Sequence, residues 1–231
     1  MSVVMKKHTA EIAFILDRSG SMASLTEAAI TGFNEFLRSQ QNVPGAARMT
    51  LVLFDNEYLV PVQSIPIEEV VALDTTTYVP RGSTALLDAV GETIDRLGTR
   101  LAAKEEGDRP AQVIVAILTD GYENSSTRFT WAELSRRILE QTNVYKWHFL
   151  FLGANQDAIA TAAQLNIGAA NAATYVADGV GTVRSTAAMT RKTTALRKFA
   201  AAMPMNLQET ADAVAPLTEI VKEEDAKGRG K

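Results

Sequence analysis

With 231 residues, 46% of them apolar and 22% charged, the chain has the balance of an ordinary soluble globular protein and the length for one good-sized core. A net charge of −4 gives no general attraction to nucleic acid or to an anionic membrane. The complete lack of cysteine excludes disulfides, zinc–thiolate sites and cysteine nucleophiles, and fits a reducing compartment. The segment Met1–His8 places a short apolar stretch before its charges, the reverse of a secretion signal. No run approaches the roughly 18 to 20 apolar residues of a membrane span. A cytoplasmic protein without a membrane partner is expected.

Ile12-Ala13-Phe14-Ile15-Leu16 is a continuous apolar run, the pattern of a strand buried on both faces. Ala28, Ala29, Ile30, Phe33, Phe36 and Leu37 then recur at helical spacing through about Gln40, and Gln41-Asn42-Val43-Pro44-Gly45 breaks that helix. Met49 to Phe54 and Tyr58 to Ile65 read as strands joined by the turn Asp55-Asn56-Glu57, an antiparallel hairpin. Pro61 and Pro66 put the second of these at the sheet edge, because proline cannot donate to a ladder. Ile67 to Leu73 reads as a short helix, and Asp74 to Ser83 as loop.

Leu86, Leu87, Val90, Ile94, Leu97 and Leu101 form one apolar stripe, so a helix is predicted from Ala85 to about Ala103. Val113 to Leu118 is the most strand-like run in the chain. A helix marked by Trp131, Leu134, Ile138 and Leu139 follows, then a strand from Trp147 to Leu152, a helix near Asp157 to Leu165, and a short strand at Ala173 to Val176. Alternating strands and helices predict an α/β fold: Rossmann-like, doubly wound, with a mostly parallel central sheet, one antiparallel edge strand and helices on both faces. In such sheets ligands sit off the carboxyl ends of the strands.

From Val183 to Met203 a further helix is expected, carrying Arg184, Arg191, Lys192, Arg197 and Lys198 without an acidic residue. One reading makes residues 184–198 a basic strip for nucleic acid or an acidic partner. The preferred reading is the solvated face of a closing helix packed through Val183, Ala187, Leu196, Phe199 and Ala200, since Arg and Lys normally occupy such faces. Residues 1–203 are then one domain and 204–231 a C-terminal extension. A short helix falls within Asn206 to Val221. The charged, Gly-containing stretch from Lys222 to Lys231 is expected to be disordered.

Three stretches carry the chemistry. Asp17-Arg18-Ser19-Gly20-Ser21 follows the first strand, Thr84 precedes the Leu86 helix, and Asp120-Gly121 follows the strand ending at Leu118. Alternate residues of an extended segment project similarly, so Asp17, Ser19 and Ser21 can face one point. Thr84 and Asp120 would close the site from neighbouring loops. Each residue alone is also compatible with a turn or helix cap. Together, all at strand ends or helix starts, they form a hard-oxygen donor set suited to Mg²⁺ or Mn²⁺. Two carboxylates and three hydroxyls scarcely over-neutralise a dication, which stays electrophilic and keeps a position open. An acidic side chain of another protein could fill it.

Asp17-Arg18-Ser19-Gly20-Ser21-Met22, Arg81-Gly82-Ser83-Thr84-Ala85-Leu86-Leu87-Asp88-Ala89 and Leu118-Thr119-Asp120-Gly121 resemble the von Willebrand factor A domain family. The resemblance covers about Ile12 to Val176, and Phe149 to Asp157 further resembles bacterial and phage-type stand-alone members. It implies a metal-ion-dependent adhesion site formed by Asp17, Ser19, Ser21, Thr84 and Asp120, a central sheet with one antiparallel edge strand, and binding of a protein partner. The fold alone does not fix the biological role.

The rival class is a metal-assisted hydrolase. Aspartate-nucleophile phosphatases need a second aspartate where Ser19 stands, and no Gly-x-Ser-x-Gly elbow accompanies Ser19 or Ser21. Only His8 and His148 could serve as a histidine base, and His148 falls inside a predicted strand as a structural residue. No phosphate-binding G-x-x-x-x-G-K-[ST] occurs. Nucleic-acid association through the basic helix lacks aromatic platforms and overall positive charge. The expectation is a non-enzymatic, metal-dependent protein-binding domain.

Overall fold

The apolar run after Thr9 becomes the middle of the sheet. In the computed structural model, which describes residues 9–154 and 157–229, strand β1 (Ala10–Asp17) is buried along its whole length. It pairs in parallel with β2 (Ala47–Phe54) on one side and β4 (Gln112–Thr119) on the other. The hairpin partner β3 (Tyr58–Pro66) is antiparallel to β2 at the edge; β5 (His148–Ala154) and β6 (Ala172–Tyr175) extend the parallel side. The order β3-β2-β1-β4-β5-β6 reverses direction of growth between β1 and β4, which opens a crevice off their carboxyl ends. Readings that fell on Met1–His8, His8 included, on Asn155 and Gln156, and on Gly230 and Lys231 lie outside the described residues.

Alternation along β1 sends Ile12, Phe14 and Leu16 to one face and Ala13 and Ile15 to the other. The first face receives α1 (Thr26–Asn42), whose Phe33 and Phe36 meet Phe14 edge-on at 5.3 and 4.8 Å between ring centres. The second face is covered by α2 (Leu86–Ala102), α3 (Trp131–Asn143) and α4 (Ala158–Gln164). The expected helix at Ile67 to Leu73 is a single 3-10 turn over Ile67–Glu69. No helix among the described residues is long and apolar enough to cross a membrane.

The C-terminal third differs from the sequence expectation. Helix α5 (Gly179–Ala200) lies against α1, α6 (Leu207–Val214) and α7 (Leu217–Arg229) and buries Thr182, Ser185, Thr186, Ala188, Met189, Thr193 and Ala195, while Phe199 is 70% exposed. The hydroxyls of Ser185, Thr186 and Thr190 donate to carbonyls three or four residues earlier, so a polar face can be buried. The close approach shows at Gly32 of α1, where an added Cβ would lie 2.8 Å from Thr186 Oγ1. No apolar stripe announces a helix packed through small and hydroxyl side chains.

Its cations are neither a solvated face nor an open basic strip. Arg197 is buried and donates to Gln40 O, Gln40 Oε1 and Gly45 O; burial pulls its pKa down to about 10. Lys192 donates to the carbonyls of Asp212, Ala213 and Ala215, satisfying the end of α6 (Leu207–Val214). Arg191 pairs with Asp212, Glu223 and Glu224, and Lys198 with Glu209. These partners also correct the expected disorder after Lys222. Helix α7 (Leu217–Arg229) continues through that stretch, with Leu217, Ile220 and Val221 in the core beneath the sheet and Glu224 buried against Arg191.

Replacing Arg197 with alanine leaves two buried acceptors of Gln40, and the carbonyl of Gly45, without their donor. The Arg197→Ala variant is expected to lose about 3 kcal/mol of stability. A urea titration checks this: the midpoint falls while the slope stays that of wild type.

Candidate metal centre

Asp17 is the last residue of β1, and Thr119 the last of β4; Leu16 and Leu118 are aligned partners, so the two following side chains stand side by side. Thr119 Oγ1 donates to Asp17 Oδ2 at 2.5 Å. The other oxygen, Oδ1, accepts the backbone N–H of Ser19 at 2.7 Å. Asp17 is fully buried and held by both oxygens. Beyond it the chain enters a 3-10 turn, Gly20–Leu25, that carries Ser21 toward β4. Ser19 and Ser21 Oγ atoms are 3.1 Å apart, and Ser21 Oγ donates to Asp120 Oδ1 at 2.6 Å.

Thr84 joins through proximity over Gly121. A Cβ at residue 121 would sit 2.9 Å from Thr84 Oγ1 and 3.4 Å from Ser21 Oγ, so both hydroxyls face the space that Gly121 leaves open. The Thr84 segment is fixed from two sides: Gly20 N–H donates to Gly82 O at 3.0 Å, and Arg81 N–H donates to Arg18 O at 2.8 Å. Asn124 holds it from the third loop, accepting from Thr84 N–H and donating its own N–H to Thr84 O. All five sequence-identified residues therefore gather at the crevice between β1 and β4. Ser21 lies on the surface, whereas Asp17, Ser19, Thr84 and Asp120 are buried.

The electrostatics are those of an unneutralised carboxylate pair. Burial, reinforced by the charge of Asp120, raises the Asp17 pKa to about 6 against the hydrogen bonds from Thr119 and Ser19. Burial also raises Asp120, opposed by its bond from Ser21. Among the described residues no Lys or Arg pairs with either one; neighbouring Arg18 instead lies 3.0 Å from Asp55. The phenols of Tyr78 and Tyr175 are pushed well above their ordinary range by burial and by the same two carboxylates. Among the described residues no three His, Asp or Glu side chains cluster as a metal cage. The donor set is two carboxylates with hydroxyls, all hard oxygens, and it fits a Mg²⁺-like cation.

Sequence reasoning missed the residues that hold this set in place. Tyr78 O–H donates to Asp17 O at 2.6 Å from within a loop that gives no local signal. Thr119 was visible only as the neighbour of Asp120. Glu123 caps α2 by accepting Leu87 N–H, and Asp88 accepts the N–H groups of Thr127, Arg128 and Phe129. His148 stands at the amino end of β5, half-buried, with its pKa lowered by burial and by Lys192.

The raised Asp17 pKa has a sign that can be tested. The folded state holds the proton more tightly than the unfolded chain, so stability falls as pH rises between about 4 and about 6, by roughly 3 kcal/mol in total. Asp17→Asn lacks this titration, and its amide can accept from Ser19 N–H and donate to Thr119 Oγ1. In chelator, urea midpoints are expected to show the variant gaining on wild type by that amount between pH 4 and pH 7.

No family model matches the sequence, and no curated protein matches it. Solved structures resemble the fold. A von Willebrand factor type A protein from Catenulispora acidiphila superimposes with a TM-score of 0.55 at 18% identity, over 81% of this chain and 43% of that one. The ArnB paralog VWA2 from Sulfolobus acidocaldarius gives 0.51 at 13%, over 80% and 45%. Proximal thread matrix protein 1 from the mussel byssus, with a zinc-occupied MIDAS motif, gives 0.55 at 15%, over 83% and 47%. The chain spans less than half the length of each. At these identities the likeness concerns architecture, and the architecture is that of a von Willebrand factor A domain.

Proposed function

We propose that this chain is a non-enzymatic, cytoplasmic protein-binding module that holds one Mg²⁺ or Mn²⁺ among Asp17, Ser19, Ser21, Thr84 and Asp120 and presents it to an acidic side chain of a partner. The carrying observation is the convergence of two carboxylates without a cationic partner and three hydroxyls at one crevice, with Ser21 at the surface. When bound, the ion supplies an electrophilic centre with a coordination position left to the partner. The chain's own residues do the positioning. Thr119 and Ser19 N–H fix the Asp17 carboxylate, and Asn124 fixes the Thr84 loop. The zinc-occupied site named for the mussel byssus protein supports a divalent ion on this architecture.

A hydrolase reading has less support. His148 begins β5 and lies about 20 Å along the strand from the carboxyl ends where the site sits. The carboxylate beside Ser21, Asp120, is in the proposed role a donor to the ion instead of a base.

Metal uptake by the folded state raises stability by mass action, about 2.7 kcal/mol at a concentration 100-fold above Kd. For a chain of this size that is about 5 to 10 °C in Tm. Mg²⁺ is expected to raise the Tm of wild type and leave Asp17→Ala unmoved; equal responses from the two proteins would overturn the assignment. Thr84→Ala is expected to fold normally yet lose capture of a partner that chelator also releases from wild type.

A further inference from the structure

The two hydroxyl-bearing loops share two backbone hydrogen bonds, and their side chains are linked through a third segment that carries no ligand. That segment is the β2–β3 turn, Asp55-Asn56-Glu57. We propose that Asp55 is a positioning residue that sets the divalent-cation affinity of the site by holding the Asp17–Ser21 loop and the Arg81–Thr84 loop in register. The inference rests on the metal-site reading above and concerns a residue outside the donor set.

Asp55 is fully buried, although it sits in a hairpin turn. Its Oδ2 lies 3.0 Å from Arg18 Nη2, next to Asp17, and accepts from Arg81 Nε at 3.0 Å, beside Gly82. Its Oδ1 accepts Glu57 N–H at 2.5 Å, which closes the turn and fixes the carboxylate's direction. Its carbonyl accepts Ala85 N–H at 3.0 Å, immediately after Thr84. One residue therefore grips both loops by side chain and the second again by backbone. Glu57 completes the arrangement, pairing with Arg81 and lying 3.6 Å from Arg18.

The neighbouring backbone depends on the same contact. Gly82 has a φ of +68°, and a Cβ there would collide with Asn56 Oδ1 at 2.1 Å, so the turn seats directly on this glycine. Gly82 O in turn accepts Gly20 N–H, the middle residue between Ser19 and Ser21. A loosened Asp55 leaves only the backbone hydrogen bonds Gly20 N–H to Gly82 O and Arg81 N–H to Arg18 O between the loop bearing both serines and the loop bearing Thr84. Residues that orient metal ligands from behind typically change affinity by about 10- to 100-fold when removed.

Two substitutions separate positioning from simple charge. Asp55→Asn removes a negative charge near the site, and Arg81→Met removes a positive one, from a side chain half exposed and easily replaced. A through-space Coulomb effect moves Mg²⁺ affinity in opposite directions in the two variants. A broken joint weakens both. Calorimetric Mg²⁺ titration is expected to give a Kd raised about 10- to 100-fold in Asp55→Asn and raised by less in Arg81→Met. Leu217→Ala, a destabilised control in the core beneath the sheet, is expected to bind as wild type.

Amide exchange in chelator tests the joint without metal. Gly20 and Arg81 N–H groups, which bridge the two loops, are expected to exchange faster in Asp55→Asn and not in Leu217→Ala. Tighter Mg²⁺ binding by Arg81→Met, or unchanged exchange at Gly20 and Arg81 in Asp55→Asn, overturns the proposal. If wild type takes up no Mg²⁺, the function proposed above fails and with it the effect on affinity, while the exchange data still decide whether Asp55 joins the loops.

Discussion

The site depends on one costly placement: a carboxylate at the end of the central strand, out of water, facing a second carboxylate. Asp17 follows five apolar, buried residues of β1, Ile12 to Leu16, so solvent has no route to it from the sheet. Hydrogen bonds from Thr119 and from Ser19 N–H hold its direction but do not cancel its charge, as its raised pKa records. Nearby cations are engaged elsewhere, Arg18 and Arg81 with Asp55 and Glu57. A strand end built this way is less stable than an apolar or neutral one would be. In the proposed role, a bound dication would relieve that cost.

Much of the scaffold was legible because burial writes itself into local composition. Continuous apolar runs at Ile12–Leu16 and Val113–Leu118 require strands covered on both faces, and Pro61 requires an edge. The five oxygen-bearing residues were legible for a related reason: Asp17, Ser19, Ser21 and Asp120 follow the ends of such runs, and Thr84 stands just before the apolar stripe of α2. Asp55, Tyr78, Thr119 and Asn124 were not, because they act on backbone groups or on charges far away in sequence. Nothing in Asp55-Asn56-Glu57 distinguishes a turn that is fully buried from one that is merely polar.

The C-terminal region failed for the complementary reason. Lys222 to Arg229 has the composition of a solvated tail, but Arg191 supplies a partner for Glu223 and Glu224 from more than thirty residues earlier. Once those charges are paired, Leu217, Ile220 and Val221 can bury beneath the sheet and the helix propagates. The same pairing removes the basic strip that residues 184–198 suggested. Charges that look like a surface for a partner are instead spent inside the fold, on α1, α6 and α7.

The proposed role follows most directly from how few charges the crevice contains. A cage of three or more carboxylates would neutralise a dication fully and leave little electrostatic attraction for a further anion. Here two carboxylates balance the formal charge of the ion, and the remaining donors are neutral hydroxyls. In the proposed role, a partner's carboxylate arriving from solvent would meet an ion with a position left for it and no excess negative charge around it. The same economy weakens the hold of the protein on the ion, because hydroxyls contribute dipoles instead of charges. Affinity must then come from placement, since donors that are already fixed lose little freedom on binding. That requirement gives physical sense to a site whose ligands are weak but whose loops are tied together by Asp55, Asn124, Tyr78 and Thr119.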